Sequence, residues 1–329
     1  MIPAQASDAN VSTPREVVSP PIVLSEGVRE RVNDLAAEFQ AAQPFRHVVI
    51  DGMLSPQACR ALMAQFPEFS EQRALNEHGE VGGKAVVPEL AQLGPAYAGF
   101  DQLMQEADFL QWLSHVTGIP NLLYDPEYVG GGTHENRNGQ ELDTHVDFNF
   151  HPRTQWHRRL NLILFLNPQW HESWGGCLEL LRDPFDTQQM RSVTPLANRA
   201  VIFETTESSW HGFRRIQLPP GFVLSRRSIA VYFYTKEPPP GSEVPSHGTF
   251  YYQRPLPERV RSGYTMREQD VEEVQDLLHR RDHHIKFLYE REKEFSTALD
   301  AMRNSITFRL GRMLTRPAVM VRDWWKERK

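Results

Sequence analysis

Cysteine is scarce in this chain: Cys59 and Cys177 are the only two among 329 residues, far apart and outside any metal-type pair. A disulfide framework is therefore not expected, and a reducing compartment fits better. No run of residues is long and apolar enough to span a bilayer. The opening MIPAQASDANVSTPREVVSPP lacks the basic and apolar regions of a secretory signal, so a cytoplasmic location is expected. Internal repeats are absent from the central part of the chain. What remains is the composition of an ordinary globular protein, 40% hydrophobic and 24% charged.

Charge is unevenly spread. The net value is −6, yet residues 303–329 hold eight Arg or Lys against Asp323 and Glu327, a balance of +6 that leaves −12 on the other 302 residues. An acidic body argues against general nucleic-acid binding, whereas the basic tail suits an anionic surface.

Residues 1–22 are rich in Ser, Pro and Ala and read as a disordered leader. Residues 23–121 read as a support region of helices and one strand. Ser25 is placed to cap a helix carrying Val28, Val32, Leu35 and Phe39, stopped by Pro44. FRHVVI (45–50) reads as a strand, Ser55-Pro56 starts a second helix, and another is expected over 100–116. Over 122–236 short β-rich runs alternate with turns: LLYDPEYV, ELDTHVDFNF, RRLNLILFLN, WGG into CLELL, RAVIF and RRSIAVYFYT. Strands at this spacing predict a barrel or sandwich, of which a jelly roll is one form. Residues 237–264 read as a linker or covering loop, beginning in a stretch rich in Pro, Gly and Ser. A heptad-patterned helix is expected over 265–306: nine of its eleven a and d positions from 271 to 306 are apolar, Arg281 and Glu292 being the exceptions. Residues 307–329 form a basic amphipathic tail interrupted by Pro317. The helix offers a face for self-association or docking, and the tail one for peripheral membrane contact.

The chemistry concentrates around His145-Val146-Asp147. On a strand, positions i and i+2 share a face, so the imidazole and the carboxylate point the same way. His211 follows 64 residues after Asp147, beyond RAVIF and a polar loop. Two histidines and one carboxylate on one side of Fe(II) form a facial triad with open positions. That set leaves one positive charge on the ion and favours an anionic chelating co-substrate. An HxD pair in a chain with 13 histidines specifies little alone; the order of the surrounding features carries the weight. In RRSIAVYF, Arg226, Ser228 and Ala230 share one strand face, and Arg227, Ile229 and Val231 the other. An arginine entering the interior needs an anion. A bound dicarboxylate supplies one that a guanidinium grips with two parallel hydrogen bonds, and Ser228 adds a hydroxyl. Arg227 is assigned the outer face.

HVD, RRLNLILFLN, the WGG turn into CLEL, WHGF and RRSIAVYFYT, in this order, resemble the prolyl-4-hydroxylase-like branch of the Fe(II)/2-oxoglutarate-dependent oxygenases. The likeness spans roughly residues 45–236, more loosely before Tyr128, and includes a basic residue fifteen positions after the distal histidine, His211 to Arg226. It implies an all-β catalytic core, a double-stranded β-helix or jelly roll; with the flanking helices and the long heptad-patterned C-terminal helix read above, the expected fold is α+β overall. It implies iron bound by His145, Asp147 and His211, and 2-oxoglutarate held at its C5 carboxylate by Arg226, where collagen-type enzymes have lysine. The implied cofactors are Fe(II), 2-oxoglutarate as co-substrate and O2, with ascorbate compatible. The implied reaction is hydroxylation of an unactivated C–H, with release of succinate and CO2. Asp147 argues against the halogenating relatives, which replace this carboxylate.

The chain departs from the family pattern at Phe165, where a tyrosine commonly helps hold 2-oxoglutarate. Asn161, on the same strand face, reads either as a replacement contact or as a buried structural amide. His134 reads as a loop residue or, second, a substrate contact, and Trp156, Trp170, Trp174 and Trp210 mostly as core or rim aromatics, with the lining of a substrate groove as the alternative. The substrate class is a protein or peptide side chain, or a glycan-related compound, since the tail weakly resembles C-terminal segments of proteins of surface-polysaccharide synthesis. The competing reading is a non-catalytic scaffold, a degenerate oxygenase body presenting a coiled coil. A zinc hydrolase on the same ligands lacks an evident general base and leaves Arg226 without a role.

Overall fold

The computed structural model describes residues 20–70, 85–186, 188–241, 244–252 and 254–315. Most of the expected leader, residues 1–19, lies outside the described residues, as does the tail from 316 onward with Pro317, Val319, Trp324 and Trp325. The chain divides into two compact units, 1–252 and 253–329.

The first unit is built on two antiparallel sheets. The larger contains β1 (His47–Asp51), β2 (Ala85–Val87), β3 (Leu123–Tyr124), β4 (Gly132–Asn136), β6 (His157–Phe165), β9 (Arg199–Glu204) and β11 (Arg226–Thr235). Its order is β1-β9-β6-β11-β4-β2, with β3 also paired to β11. The smaller sheet runs β12-β5-β10-β7-β8, from β5 (Leu142–Val146), β7 (Leu178–Leu181), β8 (Arg191–Val193), β10 (Trp210–Phe213) and β12 (Phe250–Tyr251).

Side-chain alternation on the two central strands divides the interior. Leu160, Leu162 and Leu164 of β6, with Ile229, Val231 and Phe233 of β11, belong to the main apolar core together with helix residues Leu35, Phe39, Phe100 and Leu113. Each fully buried side chain of this size contributes about 1.5–3 kcal/mol. Asn161 and Ile163 of β6 and Arg226, Ser228, Ala230 and Tyr232 of β11 line a cavity instead. The core thus fixes by register which side chains face that cavity.

The helices differ from the sequence reading in instructive ways. The first expected helix is divided into α1 (Glu26–Glu30) and α2 (Val32–Ala41). Ser25 occupies the N-cap position of α1, but its hydroxyl donates to the Gly52 carbonyl (2.6 Å) instead of capping. Ser55 does cap α3 (Pro56–Ala64), accepting from the Ala58 N–H at 3.2 Å with Pro56 at the first position. The single helix expected over 100–116 is two, α4 (Pro95–Gln105) and α5 (Ala107–Thr117), joined at an extended Glu106. From Met104 to Phe109 an unbroken helix would rotate the apolar face by about 140°; the break at Glu106 lets both faces, including Phe100, Phe109 and Leu113, enter one core.

In the second unit α6 (Glu268–Asn304) starts on Asp270. The Asp270 carboxylate accepts from the Arg267 N–H (2.9 Å), the Tyr264 hydroxyl (2.7 Å) and Arg259 Nε (2.8 Å). A carboxylate at this end also suits the helix dipole. Ser305 ends α6 with extended backbone, and residues 306–315 are helical again. The boundary thus falls at Ser305 rather than after Ile306, because the Ser305 hydroxyl donates to the Met302 carbonyl (2.7 Å) and accepts from the Phe308 N–H (3.3 Å). No helix among the described residues is long and apolar enough to cross a membrane.

Candidate metal centre

His145 and His211 face each other across paired strands, His145 on β5 and His211 on β10, with ring centroids 4.3 Å apart. Asp147 lies one residue beyond the end of β5. His145 Nε2 is 3.7 Å from Asp147 Oδ1, and His211 Nε2 is 3.4 Å from Asp147 Oδ2. The candidate ligand atoms of all three lie within 4.8 Å of one another, the only group of three or more His, Cys, Asp or Glu so arranged among the described residues.

Both imidazoles are held in one tautomer. His145 Nδ1 is 2.9 Å from the Asp143 carbonyl, and His211 Nδ1 is 3.0 Å from that of Ser209. A carbonyl only accepts, so each Nδ1 carries the proton and each Nε2 keeps its lone pair for a metal. The ring of Tyr251, opposite His145 on β12, lies 5.3 Å from it, and Phe203 meets His211 edge-on at 4.8 Å. Gly212 lets the strands close: a methyl group there would stand 2.7 Å from the Leu142 carbonyl oxygen and 3.0 Å from the Thr144 Cα.

Asp147 is fixed by two residues that the motif reading missed or left open. Its Oδ2 accepts from Arg158 Nη2 (2.9 Å) and Asn161 Nδ2 (2.8 Å). Asn161 Oδ1 in turn accepts from Arg158 Nε (3.0 Å) and Nη2 (2.7 Å). Asn161 is thus a buried amide joining an arginine to the carboxylate. Burial alone raises the Asp147 carboxyl, but the Arg158 charge, with the Asn161 bond and any protonated histidine ring, outweighs it and holds the group well below the usual carboxylate range. Arg158 is 1% exposed, its guanidinium 3.5 Å from the Tyr232 ring and 4.6 Å from that of Phe148.

Arg158 eluded the period-two reading because β6 carries a bulge. Leu160 pairs with Phe233 but Arg158 with Tyr234, so Arg159 is an extra residue and Arg158 rotates onto the face of Asn161. A signal was present: two strands carry an arginine doublet at or next to their start, RRLNL and RRSIA. In each the first arginine is buried and the second meets a glutamate on the neighbouring strand: Arg159 with Glu204 at 3.2 Å, Arg227 with Glu135 at 3.1 Å.

Arg226 lies in the same cavity as the three candidate ligands, which measures about 200 Å³, several times the roughly 30 Å³ share of one water. It is 4% exposed, and its Nε donates to the Gly176 carbonyl at 2.6 Å. Its guanidinium lies 4.2 Å from the Phe213 ring and 5.0 Å from that of Phe165. No carboxylate among the described residues pairs with it. Burial lowers its pKa to about 10, so it stays charged at neutral pH. Gly176 in the WGG turn has φ +70°, and a methyl group there would approach Trp170 to 2.9 Å. Ser228 is buried and lines the cavity with Arg226. Arg227 is on the opposite face, its side chain 41% exposed. His134 and Tyr251 also line the cavity; Trp170 and Trp174 pack in a small cluster with Phe213, which lines it too.

Comparison with known proteins agrees with the motif resemblance. Residues 131–234, about a third of the chain, match the family model described as the 2OG-Fe(II) oxygenase superfamily. This segment contains all three candidate ligands and Arg226. No curated protein matches the chain. Among solved structures, a Trichoplax adhaerens prolyl hydroxylase in complex with a hypoxia inducible factor peptide fragment is 13% identical, with 63% of this chain and 90% of that one covered at a TM-score of 0.45. A Pseudomonas putida prolyl-4-hydroxylase is 17% identical, with coverages of 62% and 99% and a TM-score of 0.40. A prolyl 4-hydroxylase from Phytophthora capsici is 18% identical, with coverages of 93% and 99% and a TM-score of 0.45.

Proposed function

We propose that the chain is an Fe(II)- and 2-oxoglutarate-dependent dioxygenase, a hydroxylase on a double-stranded β-helix, acting on a protein or peptide side chain or a glycan-related compound. The observation that carries this reading is one cavity holding both a facial set of two Nε2 lone pairs and a carboxylate, and a buried arginine with no carboxylate partner among the described residues. The donor set fits Fe(II), and the buried cation fits the far carboxylate of a dicarboxylic co-substrate.

When bound, Fe(II) with 2-oxoglutarate and O2 supplies the oxidation of a C–H bond to C–OH, with 2-oxoglutarate converted to succinate and CO2. The protein's part is positional. His145, Asp147 and His211 hold the metal. Arg226 anchors the co-substrate, with Ser228 adding a hydroxyl donor beside it. Arg158 and Asn161 keep the Asp147 carboxylate ionised and in one orientation. Phe165 packs its ring near Arg226 and offers no hydrogen bond to the co-substrate.

The test is anaerobic Fe(II) loading followed by calorimetric titration with 2-oxoglutarate. One iron per chain, and 2-oxoglutarate binding that requires both the iron and Arg226, are the expected results. Iron binding unaffected by loss of His145, Asp147 and His211 together would contradict the assignment.

A further inference from the structure

The heptad stripe of α6 carries a pattern that apolarity alone does not require. From Val271 to Met302 its ten a and d positions hold eight apolar residues and two charges, Arg281 at d and Glu292 at a. Both charges stand on the apolar face. Arg281 lies one turn from Leu278 and Ile285, and Glu292 one turn from Leu288 and Phe295. These four apolar neighbours are 48–63% exposed. Glu292 is exposed too, and Arg281 is half-buried, its Nη2 donating to the Arg254 carbonyl at 2.8 Å. That bond occupies one of five guanidinium N–H donors and supplies no negative charge.

Arg281 and Glu292 stand at equal distances from the midpoint of the stripe, which falls between Lys286 and Phe287. A second α6 laid antiparallel about that midpoint therefore brings Arg281 of each chain opposite Glu292 of the other. The same register sets Ile285 against Leu288, Leu278 against Phe295, Val274 against Leu299 and Val271 against Met302. Every apolar position then meets an apolar one, over a seam about 45 Å long.

Other arrangements fail on the two charges. Sliding one helix by a heptad sets Arg281 against Ile285 or Leu299, according to direction, and shortens the overlap. A parallel pair in register sets Arg281 against Arg281 and Glu292 against Glu292, like charges in the driest part of the seam. The flanks agree with the antiparallel choice. It brings Arg303 beside Glu268 of the other chain, whereas the parallel pair forms no ion pair at its e and g positions.

We propose that α6 forms an antiparallel two-stranded coiled coil with α6 of a second copy of the chain, in which Arg281 and Glu292 pair across the seam on both sides of a twofold axis. The apolar layers supply the stability, and the charge pair fixes direction and register, the use for which a buried pair is best suited. The oxygenase reading is not needed for this inference.

The test is sedimentation equilibrium of the full-length chain together with oxidative crosslinking. The wild type should be a dimer. Arg281→Glu and Glu292→Arg should each weaken dimerisation by about tenfold or more, since each sets like charges across the seam. The double variant, which reverses the pair, should restore it. A chain carrying both Leu278→Cys and Phe295→Cys should crosslink into dimers, and neither single cysteine variant should, because the antiparallel register holds each position about 25 Å along the axis from its own copy. The native Cys59 and Cys177 are buried, and the wild type is the control. A monomer at every concentration, a trimer or larger assembly, single charge reversals without effect, no rescue by the double reversal, or crosslinking of either single cysteine variant would overturn the proposal.

Discussion

Arg158 and Arg226 are both buried cations in one cavity, but their surroundings divide their roles. Arg158 is matched by a carboxylate from the protein, whereas Arg226 has one carbonyl contact and aromatic neighbours. A buried charge left without its partner costs on the order of 3–5 kcal/mol, so the anion that Arg226 lacks is expected to bind tightly. Arg226→Ala should therefore raise the 2-oxoglutarate requirement roughly a hundredfold or more. Arg227→Ala, which loses an outward pair with Glu135, should leave it nearly unchanged. Titration of both variants distinguishes them, and a larger effect at Arg227 would reverse the strand-face assignment. His157 gives a second prediction at this scale. Its pKa is lowered from 6.5 to about 4 by burial, so between those values the unfolded chain binds the proton that the folded chain refuses. Its contribution to stability is complete above about pH 6.5 and is lost progressively as the pH falls toward 4. Urea midpoints measured across this range should fall less steeply with acid in His157→Phe than in the wild type.

The centre depends on how β5, β6, β10 and β11 approach one another. Where β5 and β10 meet, Gly212 leaves no room for a side chain. Gly212→Ala should cost about 1–3 kcal/mol in denaturant unfolding, as overpacking does, and should weaken iron binding by parting His145 from His211. Unaltered iron affinity in a destabilised Gly212→Ala protein would show that the strand contact does not set the ligand spacing. Much of this scale was legible in the sequence, because β6 and β11 alternate strictly where they pair without interruption, as in Leu160–Leu164 and Arg226–Phe233. The Arg158 contact was not, since a bulge moves one residue out of phase and leaves no mark in the hydrophobic pattern. Nor was the division of the helices at Arg31 and Glu106, which answers to packing against a shared core rather than to local preference. The two-residue strand β12 was equally hidden: Tyr251 is set opposite His145 by a pairing with a partner about a hundred residues away in sequence.

At the scale of the whole molecule, the second unit carries an uncovered apolar stripe: Ile285, Leu288, Phe295, Leu299 and Met302 of α6 are 47–63% exposed. These positions belong to one heptad frame, and a second copy of the helix is a usual remedy for such a stripe. Truncation after Tyr264 should lower the number of chains per particle measured in solution while 2-oxoglutarate turnover is retained, and an unchanged number of chains would refute self-association. The same truncation should remove any binding to anionic vesicles at low salt that the basic tail confers. The central claim nevertheless concerns the first unit, and succinate formation tests it most directly. With Fe(II), 2-oxoglutarate and O2 supplied together with cell extract as a source of substrate, the wild-type chain should release succinate, and His145→Ala, Asp147→Ala and His211→Ala should each abolish that release while keeping the wild-type fold by circular dichroism. Near-normal succinate formation in any one of these correctly folded variants would remove that residue from the proposed metal shell, and none from the wild type would contradict the account.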